Sequence, residues 1–112
     1  MDVAKMFENI NVAIVASDAN YQIIYQNKKC RELFREIFNR TDYVGSNLDE
    51  CHRTETTEKV KGYYRKYKEK KIQLDYYVME EPGGKITVVN VPVYDEGQFV
   101  GVVEFIFESS LA

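Results

Sequence analysis

A cysteine and the only histidine of the chain, Cys51 and His52, stand next to each other and are the first candidates for reactive chemistry. A thiol beside an imidazole is a combination that nucleophilic enzymes use, because the imidazole takes the proton of the thiol. Adjacent side chains on a helix, however, point about 100° apart, so these two groups cannot readily share a proton in the required geometry. The pair therefore does not indicate a thiol-dependent enzyme.

No other reactive arrangement stands out in the sequence. Cys30 and Cys51 are not a close-spaced pair, so neither a disulfide scaffold nor a zinc site is indicated and two reduced thiols are expected. Gly83 and Gly84 lie between predicted strands, whereas a phosphate-binding glycine loop precedes a helix. The acidic residues are scattered, and we assign them to polar faces. The sequence therefore predicts no enzyme activity.

Length and charge restrict the class of protein further. With 112 residues, the chain suits a single domain, residues 1–112, with one hydrophobic core. The net charge of -3 comes from interspersed acidic and basic residues and does not favour a nucleic-acid surface. No apolar run approaches the ~20 residues of a membrane span, and the N-terminus does not resemble a signal peptide. A cytoplasmic protein without a membrane or nucleic-acid partner is expected.

The elements that must position these residues are clearest at the C-terminal end. Residues 86–94 and 98–107 are rich in Val and Phe, and residues 95–97 form a tight turn that permits only antiparallel strands. Asn90 and Pro92 interrupt the first run. Because proline cannot donate a hydrogen bond to a sheet, we predict an edge position or a bulge there.

The N-terminal part predicts a helix, a hairpin and a second helix. Residues 3–9 form a short amphipathic helix, and residues 11–16 and 21–25 form two strands joined by a turn. Asn27 is well placed to cap the second helix, which ends near Asn39. The buried face of that helix recurs at helical spacing and consists of Cys30, Leu33, Phe34, Ile37 and Phe38.

The middle of the chain predicts two further helices and a strand. Ser46, with Asp49 three residues later, begins a short helical segment in a weak form of the capping box. The next helix runs from Thr54 to about Lys70, with acidic residues at its start and basic residues at its end. Its apolar stripe consists of Val60, Tyr63, Tyr64 and Tyr67. Residues 72–78 alternate like a half-exposed strand. The apolar face of this strand consists of Ile72, Leu74, Tyr76 and Val78.

The order of these elements defines a fold class. Two strands are followed by helices and then by three more strands, and the apolar stripe of each helix needs a sheet face to bury against. The predicted fold is α+β, with a five-stranded antiparallel sheet and the helices packed on one face.

In this order, several segments resemble the PAS domain family over nearly the whole chain. Residues 11–27 are similar to the opening hairpin of the family and to the asparagine that starts its first helix. Residues 44–48, Val-Gly-Ser-Asn-Leu, resemble the glycine-bearing lead into its short middle helix, and residues 92–103 resemble its closing hairpin. The resemblance implies a PAS-like fold and a sensory or dimerisation module that holds a ligand between the helices and the sheet.

Two segments resemble one PAS subgroup more narrowly, and the C-terminal residues differ from the usual ending of the family. Residues 48–52 and 76–84 resemble a PAS subgroup found in bacterial and archaeal sensor proteins. The family commonly ends in an aspartate-isoleucine-threonine motif that leads into a signalling helix, whereas this chain ends with residues 107–112, Phe-Glu-Ser-Ser-Leu-Ala. Because of this departure, the sequence does not indicate how the domain passes on its signal.

The resemblance to PAS domains implies two candidate cofactors, flavin and haem. PAS flavin photosensors need a cysteine directly after the asparagine of the middle motif, where this chain has Leu48. Haem has a candidate axial ligand in His52, because neutral imidazole coordinates iron well. In PAS haem kinases the histidine lies within the long helix, at a position that matches Val60. In other haem PAS domains it lies on the preceding short helix, and His52 is at about that place in this sequence. The alternative is that His52 is a hydrogen-bonded polar residue at the junction of two helices.

The remaining possibility is an apolar or amphipathic small molecule. The residues assigned to such a pocket are Leu33, Leu48, Val60, Tyr63, Tyr64, Ile14, Ile24 and Val103. Alternatively, the same side chains fill the core completely and leave a ligand-free dimerisation module. Met6 and Phe7 on the first helix favour a homodimer or contact with a partner signalling domain.

Overall fold

Five strands form one antiparallel sheet in a computed structural model of the chain, which describes residues 1–51, 54–81, 83–109 and 111. The strands are β1 (Ala13–Asp18), β2 (Ile23–Gln26), β3 (Asp75–Glu81), β4 (Gly84–Asp95) and β5 (Gln98–Phe107). The helices are α1 (Val3–Asn9), α2 (Lys28–Phe38) and α3 (Thr54–Lys68), and a 3-10 turn spans Leu48–Cys51. The order across the sheet is β2-β1-β5-β4-β3, which confirms the predicted α+β class.

The C-terminal hairpin is confirmed, and its turn explains the pairing. Glu96 and Gly97 both have positive φ angles, 51° and 81°, which is the backbone of the primed turns that match the twist of antiparallel strands. β3 pairs with β4 only as far as Asn90, so Pro92 lies where β4 has β5 alone as a neighbour among the described strands. The ladder also shifts between Val93 and Tyr94, as the prediction of an edge or bulge requires.

Both ends of α2 are where the sequence predicts them. The side chain of Asn27 accepts a hydrogen bond from the Cys30 N–H at 2.9 Å and caps the first turn. Asn39 has a left-handed backbone, φ 57°, and its N–H donates to the Arg35 carbonyl. Left-handed asparagine is a frequent helix stop, because its short polar side chain tolerates that conformation.

α3 ends two residues before the predicted position. The Lys70 N–H donates to the Tyr67 carbonyl, and the Lys71 N–H donates to the Lys66 carbonyl at 2.9 Å. These two bonds form a Schellman motif with Lys70 in the left-handed region, φ 56°. The motif turns the chain away from the helix and toward β3.

Two sequence predictions are wrong in detail. Asn47 rather than Ser46 caps the short 3-10 turn, since its side chain accepts from the Asp49 N–H at 3.1 Å, while the Ser46 hydroxyl accepts from Arg40. The alternation predicted for β3 is also wrong in part: Ile72 packs against the core, but Tyr76 is 62% exposed and Asp75 is partly buried. Among the described residues, no helix combines the length and apolar character needed to cross a membrane.

Candidate ligand-binding site

A cavity of about 830 Å³ lies between the sheet and helices α2 and α3. Small-molecule sites in proteins are typically concave and measure roughly 300–1,000 Å³. Its apolar wall consists of Val15, Ile23, Leu33, Phe34, Ile37, Phe38, Leu48, Val60, Val78, Met79, Ile86, Val88 and Ile106. A second space of about 30 Å³ adjoins it and has room for about one water molecule.

The strand register places one row of side chains across the floor of this cavity. Val15 pairs with Glu104, Glu104 with Asn90, and Asn90 with Asp75. Directly paired residues of antiparallel strands project from the same face of a sheet. Four strands therefore contribute one residue each, and three of these residues are polar.

Asp75 is the outer member of this row and has hydrogen-bond partners on both oxygens. The Tyr67 hydroxyl donates to Asp75 Oδ1, and Asn90 Nδ2 donates to Asp75 Oδ2 at 3.3 Å. Burial raises the pKa of the Asp75 carboxyl, and the Asn90 donor counteracts part of this effect. The two donors explain how a carboxyl group is accommodated at this position.

Glu104 lies on the central strand and has no such support. Its carboxyl group receives no hydrogen bond and no ion pair from the described residues. The side chain is partly buried and lines both the large cavity and the small space. Loss of water around the group, together with the nearby charge of Asp75, raises the pKa of Glu104 from 4.5 to about 7. Near neutral pH, this carboxyl group is therefore divided between its protonated and ionised forms.

The raised pKa of Glu104 also fixes the direction in which pH changes stability. The folded state holds the proton more tightly than the unfolded chain, so the unfolded chain binds fewer protons between pH 4.5 and about 7. The contribution of Glu104 to the free energy of unfolding is therefore greatest below pH 4.5 and is lost as the pH rises to about 7. At and above neutral pH, the ionised group weakens the fold.

Tyrosines of α3 attach the helix to the sheet beside the cavity. The Tyr64 hydroxyl is hydrogen-bonded to the Ser17 hydroxyl, and the Tyr94 hydroxyl donates to the Tyr67 carbonyl at 2.7 Å. The rings of Tyr64 and Tyr67 also contact Phe99, with centroids 5.6 and 6.1 Å apart. Burial raises the pKa of Tyr64, so its hydroxyl stays protonated and acts as a structural group.

The residues that the sequence assigned to a pocket are only partly brought together. Leu33, Leu48, Val60 and Tyr63 line the large cavity, and Tyr64 lines the small space next to it. Ile14, Ile24 and Val103 are not among the lining side chains of either space. For each of these three residues, a neighbour one position away on the same strand lines the cavity or the small space instead. Because strand side chains alternate, such a shift moves each of them to the opposite face.

Their neighbours take the predicted places. Val15 and Ile23 line the cavity instead of Ile14 and Ile24, and Ile24 is 56% exposed. Ile14 is buried, but away from the cavity, and its N–H donates to Asn27. The sequence had no alternation to distinguish Ile14 from Val15, since residues 12–16 are apolar at every position.

The remaining candidates do not add a reactive group to the described site. His52 lies outside the described residues. Cys30 is fully buried, and burial raises the pKa of its thiol to about 12, so it is not a thiolate near neutral pH. In the part of the chain that the structure describes, no group of three or more His, Cys, Asp or Glu residues is arranged to hold a metal ion.

The polar row itself was missed, because the acidic residues were assigned to polar faces. Asp75 and Glu104 instead face the helices. A signal was present in the sequence: Glu104 is the only charged residue within residues 99–107, an otherwise apolar strand. A charged residue between apolar neighbours in a strand of this kind indicates an inward carboxyl group with a specific role.

Comparison with known proteins identifies the class to which this fold and cavity belong. The family model described as "PAS domain" matches residues 3–109. The chain therefore belongs to the PAS domain family, whose members are sensory domains of signalling proteins. No curated protein matches the chain.

Solved structures give the same fold. A C-terminal domain from Streptococcus mutans is 22% identical, with a TM-score of 0.75 over 92% of this chain and 79% of that one. A PAS domain from Colwellia psychrerythraea is 25% identical, with a TM-score of 0.67 over 92% and 90%. The Aer2 receptor from Vibrio cholerae, described as a dual PAS-heme oxygen sensor, is 15% identical, with a TM-score of 0.64 over 87% and 93%.

Proposed function

We propose that residues 1–112 form one sensory domain of a cytoplasmic signalling system that binds a small organic molecule between the sheet and helices α2 and α3. Occupancy of the cavity would alter the contacts of the domain with a second copy or with a partner signalling domain. The observation that carries this proposal is the cavity of about 830 Å³, with a mostly apolar wall and a few polar groups at its floor. Its role is binding rather than catalysis, as is general for PAS domains.

The cavity also favours this function over the ligand-free alternative. Protein interiors are normally packed to the density of organic crystals, and voids larger than a water molecule are few. This space is a cleft that is open beside the exposed residues Phe38, Lys59 and Glu80 and reaches inward to the buried side chains of Val15, Ile23 and Val88. We therefore interpret the space as a site for a ligand rather than as a packing defect.

Filling the cavity tests the proposal. We expect 1-octanol, a neutral apolar probe, to raise the melting temperature of the wild type, because a molecule that binds only the folded state stabilises it. Val60→Trp places a large ring at a wall position shared by both spaces and should remove this shift. Val44→Trp is the matched control, since Val44 is 51% exposed and is not a lining residue. Equal shifts in both variants, or none in the wild type, would contradict the proposal.

Haem held through His52 is a narrower form of the proposal and has weaker support. The Aer2 receptor is a haem sensor, but its identity to this chain is only 15%, which carries the likeness of fold and no more. The described cavity wall does not fit haem, because it contributes three carboxyl groups, Asp75, Glu80 and Glu104, and no imidazole. Haemin added to the purified protein separates the two occupants. A Soret band that is lost in His52→Ala would assign haem, and a colourless protein would leave the organic ligand.

The dimer part of the proposal rests on α1. Within this helix no residue is buried, and Val3, Met6 and Phe7 are 65%, 57% and 46% exposed. Neighbouring apolar side chains on a surface helix favour burial against a second molecule. We expect the wild type to sediment as a dimer and Phe7→Asp to shift toward the monomer. Lys5→Asp, a charge change on the same helix, is the control, and two monomeric variants alongside a monomeric wild type would contradict the dimer.

A further inference from the structure

We propose that the ligand is an amphipathic amine whose protonated nitrogen lies against the Glu104 carboxylate, with its apolar part along the neighbouring row of the sheet. This inference rests on the proposed function, because it assigns a chemical class to the occupant of the same cavity. It follows from three features of the cavity: one unpaired carboxyl group, the charges around it and the position of the apolar surface.

The unpaired carboxyl group is the first feature. Asp75 uses both oxygens on Tyr67 and Asn90, whereas Glu104 has no hydrogen-bond or ion-pair partner among the described residues. Enclosing a carboxylate without a partner is costly, and proteins normally avoid it by pairing the group or by changing its protonation. A ligand that supplies a charged N–H donor would remove this cost. The donor would make the charge-assisted hydrogen bond that the protein leaves unmade.

The surrounding charges are the second feature. The titratable side chains near Glu104 are Asp75 and Tyr77 from β3, Cys30 from α2, and Tyr63, Tyr64 and Tyr67 from α3. The positive charge of Lys66, also on α3, acts on Asp75, and Glu80 of β3 lies exposed at the rim. Lys59 is the one basic side chain among the described lining residues, and it is exposed at the rim. Burial raises the pKa of the Cys30 thiol and of the Tyr64 hydroxyl, so neither adds a charge near pH 7, and the carboxyl groups of Asp75 and Glu104 make the floor of the cavity negative. A cation matches this potential, whereas an anion would be repelled by Asp75.

The apolar surface is the third feature. One step further along the strands, Ile106 pairs with Val88, and Val88 pairs with Tyr77. This row faces the same cavity about 7 Å from the polar row, since residues on one face of a strand are two positions apart. Beyond it, Leu33 and Phe34 of α2 close the apolar side. A nitrogen at Glu104 would therefore continue into an aliphatic or aromatic group along Val88 and Ile106.

A matched set of probes tests this inference by isothermal titration. Octylamine, 1-octanol and sodium octanoate carry the same chain with a positive, neutral and negative head group. We expect octylamine to bind the wild type most tightly and octanoate most weakly. Glu104→Gln keeps the shape of the side chain and should weaken octylamine binding about tenfold or more while leaving octanol binding unchanged. Glu36→Gln removes a charge from an exposed position of α2 that lines neither space, and it should change octylamine binding less than about twofold.

The number of protons released on octylamine binding distinguishes a binding role of Glu104 from a merely structural role, because a structural role would not release a proton when the ligand binds. Between pH 6 and pH 8 both charged head groups keep their charge, and only the protein changes protonation. Because the amine needs the ionised carboxylate, octylamine binding should tighten as the pH rises to about 7 and then level off. Near pH 6, titrations in buffers of different ionisation enthalpy should show about one proton released per amine bound. Glu104→Gln should release none.

The outcomes separate this inference from the proposed function. If all three probes bind equally, or if Glu104→Gln has no effect, the amine assignment is wrong while the cavity remains a ligand site. If octanoate binds more tightly than octylamine and increasingly so at low pH, Glu104 acts as a protonated donor and the assignment is also wrong. If none of the probes binds, the proposed function fails as well.

Discussion

Asn27→Ala is expected to lower the free energy of unfolding by about 4 kcal/mol, a large effect for one uncharged side chain. Asn27 is fully buried, and its Oδ1 accepts from the N–H groups of Ile14 and Cys30, both at 2.9 Å. Its Nδ2 donates to the carbonyls of Phe7 and Val12 at 3.0 and 2.8 Å. One amide thus joins α1, β1 and α2. Alanine would leave these backbone groups buried without partners, and urea denaturation would measure the loss.

A second helix cap provides the control for Asn27. Asp2 caps α1 through one exposed hydrogen bond from the Lys5 N–H, at 2.8 Å. Asp2→Ala removes the capping bond alone, so we expect a loss of about 1 kcal/mol or less. If the two variants lost the same free energy, Asn27 would be acting only as a cap, and the linkage of three elements through its amide would be wrong.

Gly101→Ala is expected to be the second strongly destabilising change, at about 3 kcal/mol. Gly101 pairs with Asp18 where β5 lies against β1. A Cβ atom at this position would overlap the Ser17 carbonyl oxygen and would lie 3.3 Å from the Asp18 Cα. Both are backbone atoms of the central strand pair, so no side-chain rotation relieves the overlap. Thermal unfolding followed by circular dichroism would show the loss as a lower melting temperature.

Gly62→Ala is the matched substitution for Gly101. Gly62 lies within α3, and an added Cβ would meet only the end of the Arg65 side chain, at 3.7 Å, an ordinary contact. Alanine also favours a helix by about 1 kcal/mol relative to glycine. We therefore expect Gly62→Ala to raise the melting temperature. A destabilising Gly62→Ala, or a neutral Gly101→Ala, would show that the two sites are not distinguished by backbone crowding.

At the candidate site, the carboxyl group of Glu104 is suited to binding a ligand but lowers the stability of the unliganded domain. An apolar residue in place of Glu104 would fit the character of its neighbours on β5, yet the chain has a carboxyl group that weakens the fold once it is ionised. Perturbed pKa values of this kind cluster at functional sites, where a group is placed for a ligand rather than for packing. The cost to the unliganded domain is what makes Glu104 a better candidate than the well-paired Asp75.

Local patterns were sufficient for much of the fold. The i, i+3, i+4 spacing after Asn27 predicted α2 and both of its ends, because a cap and a helical face depend on residues within a few positions of each other. The turn at residues 95–97 predicted the β4–β5 hairpin for the same reason. With the order of the elements, these patterns were enough for the α+β class and for the PAS resemblance, which the family match confirms.

The tertiary structure decided which side of each strand faces the cavity. Residues 12–16 are apolar throughout, so no pattern within them separates Val15 from Ile14, and in β3 Asp75 rather than Tyr76 turned inward. Register is set by pairing between strands that are distant in sequence, such as Asp75 with Asn90 and Asn90 with Glu104. A shift of one residue exchanges the two faces of a strand. The row that contains Glu104 therefore exists only once four strands have paired, which is why the sequence alone did not reveal it.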